Sequence, residues 1–187
     1  MIRFADKKEG KEIVALLWEI FEEMELPLLA KIPKDTLLNM IAEAFLEPSY
    51  RYSYKRGLVY EMNGEIAGVI YGYPAEVEHL IDQPFQNILL KNGYHPEEIL
   101  FVDKETFPNE WYIDSIVVKD TYRGLGIGST LIEEMSKLAK SEGYRTVGLN
   151  VDLANPKAKE LYSKLNFKKV GDIVISGHQY DHMCKTL

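Results

Sequence analysis

Residues 123 to 128 read Arg-Gly-Leu-Gly-Ile-Gly. A short apolar run, Ile113 to Val118, stands just before them, and an amphipathic helical pattern, about Ile127 to Lys140, comes after. A glycine-rich turn leading from a strand into a helix exposes backbone N–H groups at the positive end of the helix dipole. That arrangement suits an anion such as a phosphate or pyrophosphate. Gly124, Gly126 and Gly128 carry no Cβ, so phosphates can come close to the main chain. The candidate donors are the N–H groups of Gly124, Leu125, Gly126, Ile127, Gly128 and Ser129, and Arg123 adds a fixed charge with a forked donor. The same glycines could merely let helix and strand pack closely, although three of them are costly at a helix start.

Two look-alike motifs are excluded by spacing. Counting from Gly124, a dinucleotide fingerprint would need glycine at position 129, which is Ser129. A Walker loop would need a Gly-Lys pair, and none occurs. The other chemistry-bearing residues give weaker signals. His178 and His182 are four apart in an expected strand, with no acid or cysteine run beside them, so no metal site is expected. Cys184 has no base near it in sequence and reads as packing. Tyr50, Tyr52 and Tyr54 alternate and could line a pocket, or cover a sheet edge or the core.

The elements that must position the turn can be read from periodicity. Ile2 to Phe4 reads as a strand, and Ile13, Leu16, Leu17, Ile20 and Met24 form a helical stripe reaching about Leu26. A second helix is expected from Lys34 to Leu46, stopped by Pro48. Gly57 to Met62 and Glu65 to Tyr73 form a hairpin about Asn63-Gly64, a pair that accepts the positive φ angles of a tight turn. Residues 75 to 108 are irregular, with one or two helical pieces, and are long for a connection inside a compact domain. The central helix ends at Gly143. Arg145 to Leu153 is a strand, and Asn155-Pro156 opens a helix running to about Leu165. Phe167 to Val174 and Gln179 to Lys185 close the chain as a strand pair. The expected fold class is α/β (α+β): a single domain over residues 1–187, with an insert at 75–108, built on a mixed, mostly antiparallel sheet flanked by helices.

Composition narrows the function. The 187 residues are 46% hydrophobic and 27% charged, a globular balance. A net charge of −7 disfavours nucleic acid as partner and weakly favours a cationic one, although solubility alone explains it. No apolar stretch is long enough for a membrane span, the polar start is unlike a secretory signal, and one cysteine allows no internal disulfide. A cytoplasmic protein with no membrane partner is expected. Oligomeric state is open, a homodimer included.

The segment WYIDSIVVKDTYRGLGIGSTLIEEM resembles the acyl-CoA-binding motif of the GCN5-related N-acetyltransferase (GNAT) family, and NPKAKELYSKLNF, residues 155 to 167, resembles that family's second motif. The departure is Asn166 where glycine is usual, a change that keeps a left-handed cap within reach. The element order agrees with that fold over essentially the whole chain, except for the long 75–108 segment. The resemblance implies acetyl-CoA as co-substrate, held between the strand ending at Val118 and the strand starting near Arg145. Main-chain groups of Ile116, Val117 and Val118 would pair with the pantetheine arm. Asn155 would hydrogen-bond the cofactor, and Tyr162 would protonate the leaving thiolate. The residues themselves leave other readings open: Asn155 is a good helix cap, and Tyr162 borders an apolar stripe.

An amine acceptor, small molecule or peptide, must lose a proton before it attacks a thioester. Glu110, Tyr112 and Asp114 share one strand face. Asp114 is the candidate base, with a capping or ion-pairing acid as the other reading. The functions to separate are N-acetyl transfer by direct attack in a ternary complex, a non-catalytic acyl-CoA-binding module, and a plain nucleotide-binding α/β domain.

Overall fold

The apolar periodicities become a sheet with helices on both faces. The computed structural model describes residues 1–187. The strands are β1 (Ile2–Phe4), β2 (Gly57–Met62), β3 (Glu65–Pro74), β4 (Trp111–Val118), β5 (Thr146–Asp152), β6 (Lys168–Ile175) and β7 (His178–Thr186). They form one seven-stranded sheet in the order β1-β2-β3-β4-β5-β7-β6. Every neighbouring pair is antiparallel except β4–β5, which is parallel. The helices are α1 (Gly10–Glu23), α2 (Lys34–Ala44), α3 (Gln83–Lys91), α4 (Ile127–Ser141) and α5 (Pro156–Lys164). No helix is long and apolar enough to cross a membrane.

Two cores share the sheet. Leu17 and Phe21 of α1, Leu37 and Ile41 of α2, and Phe85 and Leu89 of α3 pack on one face with Val69 and Tyr71 of β3. On the other face Leu131, Met135 and Ala139 of α4 pack against Ile70, Ile113, Val147 and Leu149. Helices α1 and α4 turn stripes of buried apolar residues to the sheet, α2 packs on α1 and α3 on α2, and α5 has no buried residue. The 75–108 segment contributes one α-helix, α3, and a 3-10 turn, Ala75–Val77. The hairpin between β6 and β7 turns on Ser176 and Gly177, both at positive φ. Asn166, at φ 70°, takes the left-handed position expected of it after α5.

Two features of β4 shape the space beside it. Its register against β3 shifts so that Ile113 faces Gly72 and Ser115 faces Tyr71, which leaves Asp114 as the extra residue of a bulge. A bulge bends its strand and re-aims a side chain. Toward β5, the pairing consists of Trp111 with Val147 and Tyr112 with Gly148 only. Beyond Tyr112 the two parallel strands part.

The last paired position has no room for a side chain. A Cβ on Gly148 would collide with Glu110 Oε2, so the glycine is what lets that carboxylate lie against the strand. Gly148→Ala is expected to lower stability by about 1–3 kcal/mol, the cost of overpacking a tight interior. Urea unfolding measures it, and an unchanged midpoint would contradict this packing.

Candidate active site

The glycine turn is a row of free donors. Gly124 and Gly126 lie at φ 81° and 76°, and a Cβ on either would meet no atom within 4 Å, so both are there for backbone conformation rather than packing. Gly126 is the N-cap of α4. The amide of Arg123 bonds to Asp120 and that of Thr130 to Gly126, but the six amides from Gly124 to Ser129 between them have no acceptor in the protein. The first three belong to the exposed turn, and the rest to the first turn of α4, which lacks intrahelical acceptors. Leu125 is 61% exposed in the middle of the turn. The Arg123 side chain reaches back to the Val118 carbonyl at 3.3 Å and pairs with Asp120 at 2.8 Å, on the surface where such pairs are weak.

The parting of β4 and β5 opens a cavity of about 210 Å³ beside this turn's strand. Asp114 and Ile116 of β4, Asn150 of β5, and Asn155 and Tyr162 line it. Ile116 and Val118 face the α4 core and Val117 the α1 core, so their side chains are packing and only the main chain is left for a ligand. The turn itself does not line the cavity; it lies at the far end of β4. Of the residues singled out from sequence, Asp114, Ile116, Asn155 and Tyr162 line the cavity, whereas Val117, Val118 and residues 123 to 129 do not.

Asn155 caps α5, its side chain accepting from the Ala158 amide at 3.1 Å. The cap reading therefore holds whatever else the residue does. The Tyr162 ring packs at 6.1 Å from the Phe167 ring, and its hydroxyl makes no hydrogen bond within the protein. Burial pushes its pKa up to about 12, so it remains a phenol, the form a proton donor requires.

Asp114 is held rather than free. Its Oδ1 accepts from Arg51 Nη1 at 2.5 Å and from the Tyr73 hydroxyl at 3.2 Å, and Oδ2 accepts from Ser115 Oγ at 2.8 Å. The ion-pairing alternative for this residue is what the geometry displays. Arg51, 1% exposed, also bonds Asp82 through Nε and Nη2 and lies 3.7 Å from Glu105. Burial alone would lower its pKa, but Tyr73, Asp82, Asp114 and Glu105 more than offset this and keep it charged.

Sequence reading missed Arg51 and Glu105. Arg51 sits among alternating tyrosines, of which Tyr50 and Tyr52 are core residues. Glu105 lies in the irregular segment, with no periodicity to single it out. The reading that nothing acidic accompanies the histidines is also corrected. His182 is buried, with Nε2 at 2.9 Å from Glu110 Oε2 and Nδ1 at 2.6 Å from Asn150 Oδ1, and Cys184 Sγ donates to the same Glu110 oxygen at 3.4 Å. These residues lie 72 positions or more from Glu110 in the chain, so only the fold brings them together. Burial, with Glu110 next, raises the Cys184 thiol to about 12, which keeps it protonated and inert.

Removing Arg51 would leave the buried Asp114 carboxylate without its partner. Arg51→Ala is expected to cost roughly 3–5 kcal/mol of stability in urea unfolding. A loss below ~1 kcal/mol, the scale of an exposed pair, would contradict the buried pairing.

Comparison with known proteins identifies the family and the fold. The sequence model of the acetyltransferase (GNAT) family matches residues 11–167. A crystal structure of an acetyltransferase is 45% identical, covering 100% of this chain and 98% of that one, with a TM-score of 0.91. An N-acetyltransferase from Staphylococcus aureus Mu50 is 29% identical, covering 99% and 100%, with a TM-score of 0.87. An N-alpha-acetyltransferase of Saccharolobus solfataricus is 39% identical over 71 residues, 37% of this chain and 41% of that protein. This match and one to a GCN5-related N-acetyltransferase 4 of Arabidopsis thaliana span 41% and 20% of those proteins' lengths. The chain belongs to the acetyltransferase (GNAT) family, acyl-CoA-dependent N-acyltransferases that use acetyl-CoA.

Proposed function

We propose that this protein transfers an acetyl group from acetyl-CoA to a primary amine, small molecule or peptide, by direct attack within a ternary complex. The observation that carries the reading is the run of six amides, Gly124 to Ser129, without acceptors at the start of α4. Such a run fits a diphosphate, because each N–H gains an acceptor and the helix end favours the charge. Arg123 stands at its edge with a charge that a phosphate would accept in place of its weak surface pairs.

From the turn, the unpaired side of β4 leads toward the cavity. There the main chain from Ile116 to Val118 would bind the extended arm as an added strand does, and an amide near Val118 would stabilise the oxyanion. Holding thioester and amine side by side accounts for much of the expected rate. Tyr162, lining the cavity with a free hydroxyl, is the proton donor to the leaving thiolate. The cavity wall carries Glu23 and Asp152 beside the buried Glu105 and the Arg51-paired Asp114, a lining suited to an acceptor arriving as an ammonium ion.

An acetyl-CoA turnover screen against primary amines tests the reading, run beside Tyr162→Phe. The variant is expected to lose about 10²–10⁴-fold in kcat, while its coenzyme A dissociation constant stays within about twofold. Unchanged kcat would remove Tyr162 from the chemistry. Coenzyme A binding with no turnover of any amine by the parent protein would mark a binding module instead.

A further inference from the structure

Glu105 comes from the segment with the least sequence signal, yet it is 4% exposed and lines the same cavity as Tyr162. Its two oxygens differ. Oε2 accepts from the Tyr112 hydroxyl at 2.9 Å. Oε1 has no hydrogen-bond partner, its nearest cation being Arg51 Nη1 at 3.7 Å. A buried carboxylate oxygen with nothing to accept from is costly, and such groups call for an explanation.

The bonds behind Glu105 run in one direction. Asn150 Nδ2 donates to the Glu105 carbonyl at 2.9 Å, which fixes the orientation of that amide, and to the Tyr112 oxygen at 3.0 Å. Asn150 Oδ1 is then the acceptor toward His182 Nδ1. From His182 through Asn150 and Tyr112, each donor points toward Glu105, and the chain ends at its carboxylate. The network orients the group and saturates its inner oxygen, which leaves Oε1 as the one unused acceptor. Asp114, by contrast, has both oxygens committed to Arg51, Tyr73 and Ser115.

We propose that Glu105, positioned by Tyr112, Asn150 and His182, is the carboxylate that takes the proton from the acceptor ammonium, the role that sequence alone assigned to Asp114. This role rests on the proposed acetyl transfer. In the step, an N–H bond of the ammonium breaks and its proton goes to Glu105. The freed lone pair forms the C–N bond to the thioester carbonyl, and the C–S bond then breaks. The sulfur takes the Tyr162 proton, the new amide's surplus N–H proton restores that phenol, and Glu105 releases its own to solvent. The net products are the amide, coenzyme A thiol and one proton.

The surroundings tune the group for this work. Burial raises the Glu105 pKa to about 8; Arg51 and the Tyr112 hydrogen bond lower it, and Asp114 and Glu78 raise it. Tyr180, its own hydroxyl raised by burial, also faces the cavity. A base is active when deprotonated, so activity is expected to rise with pH through about 8.

The test compares Glu105→Gln and Glu105→Asp with the parent, using acetyl-CoA and two primary amines that the parent acetylates. One amine is fully protonated at neutral pH, such as propylamine, and one largely neutral, such as trifluoroethylamine. With the protonated amine, Glu105→Gln is expected to lose about 100-fold or more in kcat. Its pH profile should lose the rise near 8 and follow the amine's own ionisation. With the neutral amine the loss should be under about tenfold, since no proton need be removed first. Glu105→Asp should recover part of the activity, and coenzyme A heats should match in all three proteins. Equal losses with both amines, or a Glu105→Gln rate within about threefold of the parent, would overturn the assignment while leaving acetyl transfer standing. A parent protein that binds coenzyme A and acetylates nothing would overturn both.

Discussion

Two parallel strands that pair over two residues and then part are the constraint on which this molecule's chemistry depends. Tyr112 and Gly148 are the last partners of β4 and β5. Past them, β4 presents main chain to a groove instead of to a neighbour. Unpaired backbone inside a sheet is unfavourable unless something else satisfies it. The bulge at Asp114 bends β4 at this point, and Glu110, lying over Gly148, packs the last paired position. The opening between the strands, with Tyr162 on its wall, is therefore a built feature of the sheet.

Charge is distributed to match. The turn offers donors and a helix dipole at one end of the groove, and the cavity offers carboxylates at the other. An anionic co-substrate and a cationic acceptor would each find their complement without competing for the same residues. Between them, buried Arg51 fixes Asp114 and Asp82 and partly offsets the burial that raises the Glu105 pKa, so one cation organises the acidic wall. Burying so many ionisable groups is costly for stability, and their mutual pairing makes the arrangement tolerable. The polar chain from His182 to Glu105 fills what would otherwise be a polar gap at the base of the fork.

The parts of the site that sequence revealed are those encoded locally. The glycine turn needs only six consecutive residues. Asn155 is announced by its place as a helix cap, whereas Tyr162 stands out only through the resemblance of its segment to the family's second motif. Element order was legible for the same reason, because amphipathic stripes and the Asn63-Gly64 turn are short-range signals. Helix ends moved by a few residues, α1 stopping at Glu23 rather than near Leu26, since frayed ends are set by tertiary contact. What stayed hidden depends on distant pairs. Arg51 meets Asp114 across 63 positions, and His182 meets Glu110 across 72. A bulge, which decides where Asp114 points, leaves no mark in composition. Glu105 had no periodic neighbours to give it a face.

The central claim is that the amides from Gly124 to Ser129 are held open for a diphosphate. Titrating the isotope-labelled protein with coenzyme A and following each amide by NMR tests it most directly. Those six signals should show the largest downfield shifts in the protein, saturating together with a single dissociation constant. If they stay in place while coenzyme A binds, or if coenzyme A leaves the whole spectrum unchanged, the turn serves only to start the helix and the cleft is not an acyl-CoA site.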